Sequence, residues 1–386
     1  MSDVAGGGPP HLVLHVVGGL GIGGMEEHVA SLARAGDQAR FTHRVCALEG
    51  VGPIGEELRA AGVPVECFGL PAAPRRIRPD LLAWLLARMR RHRPRIVYTH
   101  SYHPGVYGRL AALLARAPAI LAQNHEVADP THRKRNQVIR LLAGVTDAIF
   151  VGSEYAKGSL ARCCRIPPGK IHAILPCVAM ERFATIPPRQ SARAALGLPP
   201  GAPAIGYVGR LVPRKGLVYL IEAMAGVTAA LPEACLVIAG GGDQEAWLRA
   251  RADALGLGPA VRFLGVRRDV ATVLAGLDVF VLPSAERELF GSSLLEAALV
   301  GLPTIGSRLD GIPEALVDGE TGLLVEPRDP AALARAILGV LRDPERARAM
   351  GRRGRERVLA RFTDRHMVAG FEAVYRDVLR RKGYPA

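Results

Sequence analysis

Short β-branched, apolar runs alternate with amphipathic helical patterns along most of the chain. Runs at 12–17, 44–48, 63–68, 96–99, 120–123, 148–151 and 171–175 predict strands. Between them, helical periodicity covers 26–35, 81–91, 106–115, 135–142 and 157–164. After the turn-rich Ile186-Pro-Pro-Arg and Leu198-Pro-Pro-Gly-Ala-Pro203, the alternation restarts with strands at 205–208, 235–239, 261–264, 278–282, 303–305 and 322–325. Strand–helix alternation is the pattern of a parallel sheet with helical crossovers. The predicted fold class is therefore α/β, with two Rossmann-like doubly wound domains facing across a cleft. Expected bounds are a flexible tail at 1–10, a first domain at 11–185, a linker at 186–203, a second domain at 204–360 and a terminal segment at 361–386. That last segment is amphipathic, with apolar positions at Met367, Val368, Phe371, Val374, Tyr375 and Val378.

Composition agrees with two cores: the chain has 386 residues, of which 49% are apolar, and this excludes a disordered polymer. No apolar run reaches the roughly 18 residues of a spanning helix, the stretch from Leu81 being interrupted by Arg88, and the N-terminus has no basic and apolar leader pattern, so neither a membrane span nor a signal peptide is expected. Cys46, Cys67, Cys163, Cys164, Cys177 and Cys235 show no Cys-x-x-Cys spacing, which fits reduced thiols in a cytoplasm. The formal charge is +14, and most of the excess falls in the first half. Basic clusters occur at Arg75-Arg76-x-Arg78, from Arg88 to Arg95, and at His132-Arg133-Lys134-Arg135. The helical pattern ending in the second cluster has two readings: a basic helix lying on an anionic membrane, or a core-packed helix with favourable cations at its C-terminus. Nucleic acid is not an expected partner, because no aromatic-interleaved stripe or zinc-finger spacing accompanies the charge.

Two segments carry candidate chemistry. Glu288-Leu-Phe-Gly-Ser-Ser-Leu-Leu-Glu296 places two carboxylates eight residues apart, where a short strand turns into a helix. Ligands of open α/β sheets lie beyond the carboxyl ends of the strands, so the N–H groups of Phe290, Gly291 and Ser292 would face an anion there. Upstream, a Gly-Arg turn and a Lys-Gly helix start put Arg210 and Lys215 at one strand-to-helix turn. A guanidinium and an ammonium together would neutralise a diphosphate and the charge growing on a leaving nucleotide. No Asp-x-Asp triplet occurs in the chain, so the usual paired-carboxylate site for a nucleotide-bound divalent cation is missing and no metal is expected; nor is a resident cofactor expected. Either segment alone reads better as a solvated surface turn, and their order and spacing are what favour a sugar nucleotide. Ten of the eleven histidines precede residue 186, and His100, His103 and His125 follow predicted strand ends. Their spacing does not suggest a zinc site.

An ordered series of short motifs joins these segments. Gly-Gly-Met-Glu-Glu-His (23–28), Val-Tyr-Thr-His (97–100) and Val-Gly-Ser-Glu-Tyr (151–155) precede Gly-Arg-Leu (209–211) and Lys-Gly (215–216). Glu-x7-Glu (288–296), Asp-Gly-Ile-Pro-Glu (310–314) and Asp-Gly-Glu-Thr-Gly-Leu-Leu-Val (318–325) follow. In that order, from about Gly18 to Tyr375, the chain resembles the GT-B glycosyltransferases of the large retaining family GT4. The resemblance implies that Arg210 and Lys215 hold the donor diphosphate, that Glu296 binds the ribose and that Val266 lies against the base. Glu288 would hold hydroxyls of the transferred sugar, Gly23 and Gly24 would approach the phosphates, and His100 would face the reacting sugar. His103 and His125 are candidate acceptor-side residues. The implied reaction is metal-independent, retaining transfer from a UDP- or GDP-linked sugar to a saccharide, lipid-linked or small-molecule hydroxyl, in the cytoplasm or at the inner face of a membrane. It also implies that the terminal helix crosses back onto the first domain.

Alternatives remain at this level. An inactive GT-B protein, or a GT-B epimerase or phosphorylase, would share much of the series. A dehydrogenase would use the glycines from Gly18 to Gly24, but Glu49 follows the second strand later than the usual interval of about 20 residues. Two departures from the family pattern stand out: Pro176-Cys-Val-Ala179 before the linker, and Leu289 where the family usually has glycine.

Overall fold

The computed structural model describes residues 9–21, 23–70 and 78–385. Residues 1–8 of the tail expected at 1–10 and the cluster residues Arg75 and Arg76 lie outside the described residues. The chain divides into two compact units, one of residues 1–176 with 364–386, the other of residues 177–363.

The first unit is built on a seven-stranded sheet of β1 (His11–Gly19), β2 (Phe41–Gly50), β3 (Val65–Cys67), β4 (Ile96–His100), β5 (Ala119–Asn124), β6 (Ala148–Val151) and β7 (Ile171–Ala173). Its order is β3-β2-β1-β4-β5-β6-β7, and every pair is parallel. The second unit carries β8 (Ala204–Val208), β9 (Cys235–Ala239), β10 (Val261–Phe263), β11 (Val279–Leu282), β12 (Thr304–Ser307) and β13 (Leu323–Val325). Here the order is β10-β9-β8-β11-β12-β13, again parallel throughout. Every residue of β4, β6, β9, β11 and β12 is buried, as expected where helices cover both faces of a parallel sheet. Both sheets reverse their winding at the first strand, β1 lying between β2 and β4, and β8 between β9 and β11. Each reversal opens a crevice at the carboxyl ends of its strands.

The helix Pro79–His92 decides between the two readings of its basic end. Leu81, Leu85 and Met89 are buried in a core cluster with Leu14, Val16 and Val97, and Leu82 and Trp84 pack against it. Arg88 lies over the Trp84 ring at 4.7 Å and bonds to Glu66. The apolar face is thus covered by the core, and Arg90, Arg91 and His92 sit in the last turn, where the helix dipole favours cations.

The terminal helix, Asp364–Arg381, buries all six apolar positions read from the sequence and belongs to the first unit. Its Phe371 meets Phe150 at 4.7 Å between ring centroids, and Glu372 accepts the Asp37 N–H at 2.7 Å. The segment expected as a linker at 186–203 is instead a packed part of the second unit. Its helix Arg189–Ala195 buries Arg193, whose guanidinium donates to the carbonyls of Gly276, Pro199 and Ala202 and pairs with Asp278. The division between units falls at Pro176 and Cys177, earlier than the turn-rich composition suggested. All six cysteines are free thiols.

Candidate active site

The loops that leave β8 and β11 at the second sheet's reversal are stitched together. Arg214 O accepts the N–H groups of Ala285 and Glu286, at 2.9 and 3.2 Å, and the Arg214 guanidinium donates to Arg287 O. This contact brings Lys215, at the end of the short turn Pro213–Lys215, onto Glu288. Lys215 Nζ lies 2.5 Å from Glu288 Oε2, and Ser284 Oγ donates to the same oxygen at 2.8 Å. Glu288 is only 6% exposed, so this partnership is what makes its burial tolerable.

The main chain of Glu288 is fixed from β12. Its N–H donates to Asp310 Oδ2 at 3.1 Å, and its carbonyl accepts from Gly311 N–H at 3.1 Å. Asp310 adopts φ +49°, a left-handed conformation that Asp tolerates better than most residues. Ser284 and Asp310 had no role in the sequence-based reading; the Asp-Gly-Ile-Pro-Glu motif included Asp310 but gave no sign of its partner.

Arg210, exposed after β8, accepts the Tyr207 hydroxyl at its carbonyl oxygen, 2.9 Å away. Burial, and then the Glu288 charge, push the Tyr207 hydroxyl above its ordinary range. The neighbouring loop after β9 requires glycine: a β-carbon on Gly240 would fall 1.8 Å from Gly209 O, and one on Gly242 would fall 2.2 Å from Leu211 O. Val266, after β10, is 68% exposed, and its Cγ2 would stand 3.0 Å from a β-carbon on Gly241. Thus Val266, Gly241, Arg210, Glu288 and Asp310 follow β10, β9, β8, β11 and β12, the spatial order of the strands.

Glu296 lies in the helix Ser292–Leu299, half-buried, with Oε1 3.9 Å from Arg182 Nη1. Arg182, from the turn Met180–Phe183, is a further residue that the sequence reading passed over. Gly291 turns the chain into this helix at φ +88°. Beside it the Phe290 side chain points into the core, its ring 5.7 Å from that of Phe362, so only its main chain is available to a ligand. Leu289 is half-buried.

In the first unit, Gly23 and Gly24 lead into the helix Gly24–Ala35; Gly24 is exposed, and a β-carbon on Gly23 would fall 2.6 Å from Glu26 Oε2. His103 is exposed in the helix Tyr102–Leu114, its ring edge-on to Tyr102. His100, the last residue of β4, is wholly buried, with Nε2 3.1 Å from His15 Nδ1 and Nδ1 3.5 Å from His125 Nε2. His125 is half-buried. Burial, then neighbouring histidines, hold His15, His100 and His125 well below the usual imidazole range. Among the described residues no cluster of His, Cys, Asp or Glu could hold a metal ion, and no helix is long and apolar enough to cross a membrane.

Two parallel, doubly wound α/β units, the second with a cation–carboxylate pair at its winding reversal, define the GT-B class of fold. The family description "Glycosyltransferase Family 4" matches residues 22–182, and "Glycosyl transferases group 1" matches residues 188–357. The D-inositol 3-phosphate glycosyltransferase of Stackebrandtia nassauensis is 30% identical over 309 residues, covering 74% of this chain and 69% of that one. A GDP-mannose-dependent alpha-(1-6)-phosphatidylinositol monomannoside mannosyltransferase of Mycolicibacterium smegmatis is 32% identical over 252 residues, covering 62% and 65%. Among solved structures, Anabaena Alr3699/HepE in complex with UDP and glucose superposes with a TM-score of 0.85 at 21% identity, over 95% of this chain and 100% of that one. The chain belongs to the group 1, GT4-type glycosyltransferases and is an enzyme of the hexosyltransferase type.

Proposed function

We propose that the protein transfers a hexose from a nucleoside-diphosphate sugar to a hydroxyl acceptor, with retention of anomeric configuration and without a metal ion. The observation that carries this reading is the Lys215–Glu288 pair at the reversal between β8 and β11. Lys215 and Arg210 take the donor diphosphate and, with the N–H groups of Gly291 and Ser292, stabilise the charge left on the departing nucleotide. Those two cations supply the neutralisation that a divalent ion would otherwise provide. Glu288, held by Ser284 and Asp310, takes hydroxyls of the sugar and is not assigned as a nucleophile. Glu296 takes the ribose and Val266 lies against the base. From the first unit, Gly23 and Gly24 approach the donor phosphates, His100 faces the reacting sugar, and His103 and His125 are the acceptor-side candidates. UDP and GDP are the donor nucleotides favoured, since HepE was solved with UDP and the mycobacterial relative is GDP-mannose-dependent. The acceptor is a saccharide, a lipid-linked saccharide or a small hydroxyl compound. The basic first half suits an anionic or membrane-borne acceptor met at the inner face of a membrane.

The test has two steps. A thermal-shift panel of UDP, GDP, ADP and their sugars identifies the donor, since a ligand that binds only the native form raises the melting temperature. Nucleotide release from that donor is then measured for Lys215→Ala and Glu288→Ala, each expected to lower turnover about 10²–10³-fold. Full turnover in both variants would refute the site.

A further inference from the structure

Four histidines of the first unit, brought together from β2, β1, β4 and the residue after β5, form one unbroken row. His15 Nε2 lies 2.9 Å from His43 Nδ1, His15 Nδ1 lies 3.1 Å from His100 Nε2, and His100 Nδ1 lies 3.5 Å from His125 Nε2. Every link therefore joins a δ nitrogen to an ε nitrogen, head to tail. The ring centroids are 5.1, 5.3 and 5.7 Å apart, in each case 2.2 Å more than the N···N distance. That constant excess is two ring radii, so nitrogens and centroids are collinear, and interplanar angles of 30, 24 and 20° make the rings a nearly flat ribbon.

Strand register explains the ribbon. His43 pairs with Val13, two residues before His15; His15 pairs with Tyr98, two before His100; His100 pairs with Gln123, two before His125. Successive side chains alternate between faces, so an advance of two residues per strand keeps all four rings on one face of the sheet. A neutral imidazole donates from one nitrogen and accepts at the other. The row consequently has two self-consistent states, with every proton on Nε2 or every proton on Nδ1.

We propose that His125, His100, His15 and His43 form a proton relay that serves the acceptor side of the transfer site, His125 being the residue that exchanges protons there and His15 and His43 acting through it. A proton received at His125 Nδ1 displaces the Nε2 proton of His125 onto His100 Nδ1. The Nε2 proton of His100 passes to His15 Nδ1, and that of His15 passes to His43 Nδ1. His43 then loses its own Nε2 proton to water. Each ring gains one N–H bond and loses one; one proton enters, one leaves, and all four rings end neutral. The reverse shift restores the first state.

The surroundings suit this role. His15 and His100 are wholly buried, whereas His125 is half-buried and His43 is 7% exposed, so what exposure the row has lies at its two ends. Polar groups packed against the row include His28 from the helix Gly24–Ala35, Tyr98 of β4, and Glu372 of the terminal helix. A β-carbon on Gly36 would fall 3.4 Å from His43 Nε2 and 3.2 Å from Glu372 Oε1, so a carboxylate faces the outlet. Burial disfavours a resident charge on any ring, which leaves concerted transfer between neutral states as the path.

The proposal rests on the sugar-transfer reading, and its test separates the two. Glutamine keeps a donor and an acceptor but cannot pass a proton, so His15→Gln preserves hydrogen bonding while cutting the relay. The full-length protein is labelled with isotopic histidine, and ring-nitrogen chemical shifts are recorded at neutral pH. In the wild type each ring of the row should show nitrogens averaged between protonated and bare; in His15→Gln the remaining rings should settle into fixed tautomers. Release of UDP from UDP-glucose, or of GDP from GDP-mannose, should fall about tenfold in kcat with KM unchanged, and the solvent-deuterium effect should be lost. Fixed tautomers in the wild type, or a variant with wild-type kcat and pH profile, would overturn the relay. A wild-type protein that releases no nucleotide counts against sugar transfer, and the ring-nitrogen shifts then decide the relay alone. If His15→Gln does not fold, His43→Gln at the end of the row gives the same readouts.

Discussion

A β-carbon placed on Gly216 would fall 2.2 Å from the carbonyl oxygen of Pro283. The backbone there is left-handed, φ +67°, and the residue follows Lys215 directly. Glycine at this point is what lets the two loops of the site close on each other. Gly216→Ala should destabilise the second unit by about 1–3 kcal/mol and weaken donor binding by displacing Lys215. Thermal unfolding and nucleotide titration check both, and an unchanged melting temperature would contradict the close approach.

Asp310 fixes the loop through the Glu288 N–H. Asp310→Ala leaves that donor without its partner and places a less tolerant residue at φ +49°, so a loss of about 1–3 kcal/mol is expected. Turnover should fall as well. Asp310→Asn keeps an oxygen acceptor and a side chain suited to the left-handed region, and should retain most of both. Equal behaviour of the two variants would deny Asp310 a positioning role.

Glu296 should matter for affinity more than for stability. Its contact with Arg182 is 3.9 Å long and partly solvated, and such pairs contribute about 0–1 kcal/mol. Glu296→Gln is therefore expected to unfold at nearly the wild-type temperature. It should bind nucleotide about tenfold more weakly through loss of a charged hydrogen bond to ribose. Calorimetric titration with UDP and GDP decides this, and undiminished affinity would remove Glu296 from the nucleoside site.

Acid should unfold the first unit through its buried histidines. Burial lowers His28 and His43 from 6.5 to about 4. Between those values the unfolded chain binds protons that the folded chain does not, so stability rises with pH. It is fully present above about 6.5 and is lost progressively as pH falls toward about 4. For His43, 7% exposed, the contribution is about 3 kcal/mol. His43→Gln should flatten the dependence of melting temperature on pH in that window. A slope equal to that of the wild type would show that His43 is not among the groups responsible.

Much of this architecture could be read from local pattern, because a buried parallel strand must be a short apolar run and its crossover an amphipathic helix. The predicted strands fall on β1 to β13 within a few residues, and the period of the terminal segment marked six of the eight residues its helix buries, missing Glu372 and Leu379. Composition misled at 186–203, where prolines and glycines suggested a linker. Arg193 is a core residue there because it can donate to carbonyls of neighbouring loops, a property invisible in a run of turn formers.

Local sequence also marked Arg210, Lys215, Glu288 and Glu296 as candidates, through the order and spacing of two segments that alone would read as solvated turns. What it could not supply was contact. Lys215 and Glu288 are 73 positions apart, and they meet because β8 and β11 become neighbours only when the winding of the sheet reverses. The histidine row is the clearer case. His43, His15, His100 and His125 carry no common motif, and only the register of four adjacent strands, advancing two residues at each step, aligns their rings on one face. Residue type and periodicity are written along the chain, whereas strand order and register are set by which buried surfaces fit together, and that choice belongs to the folded whole.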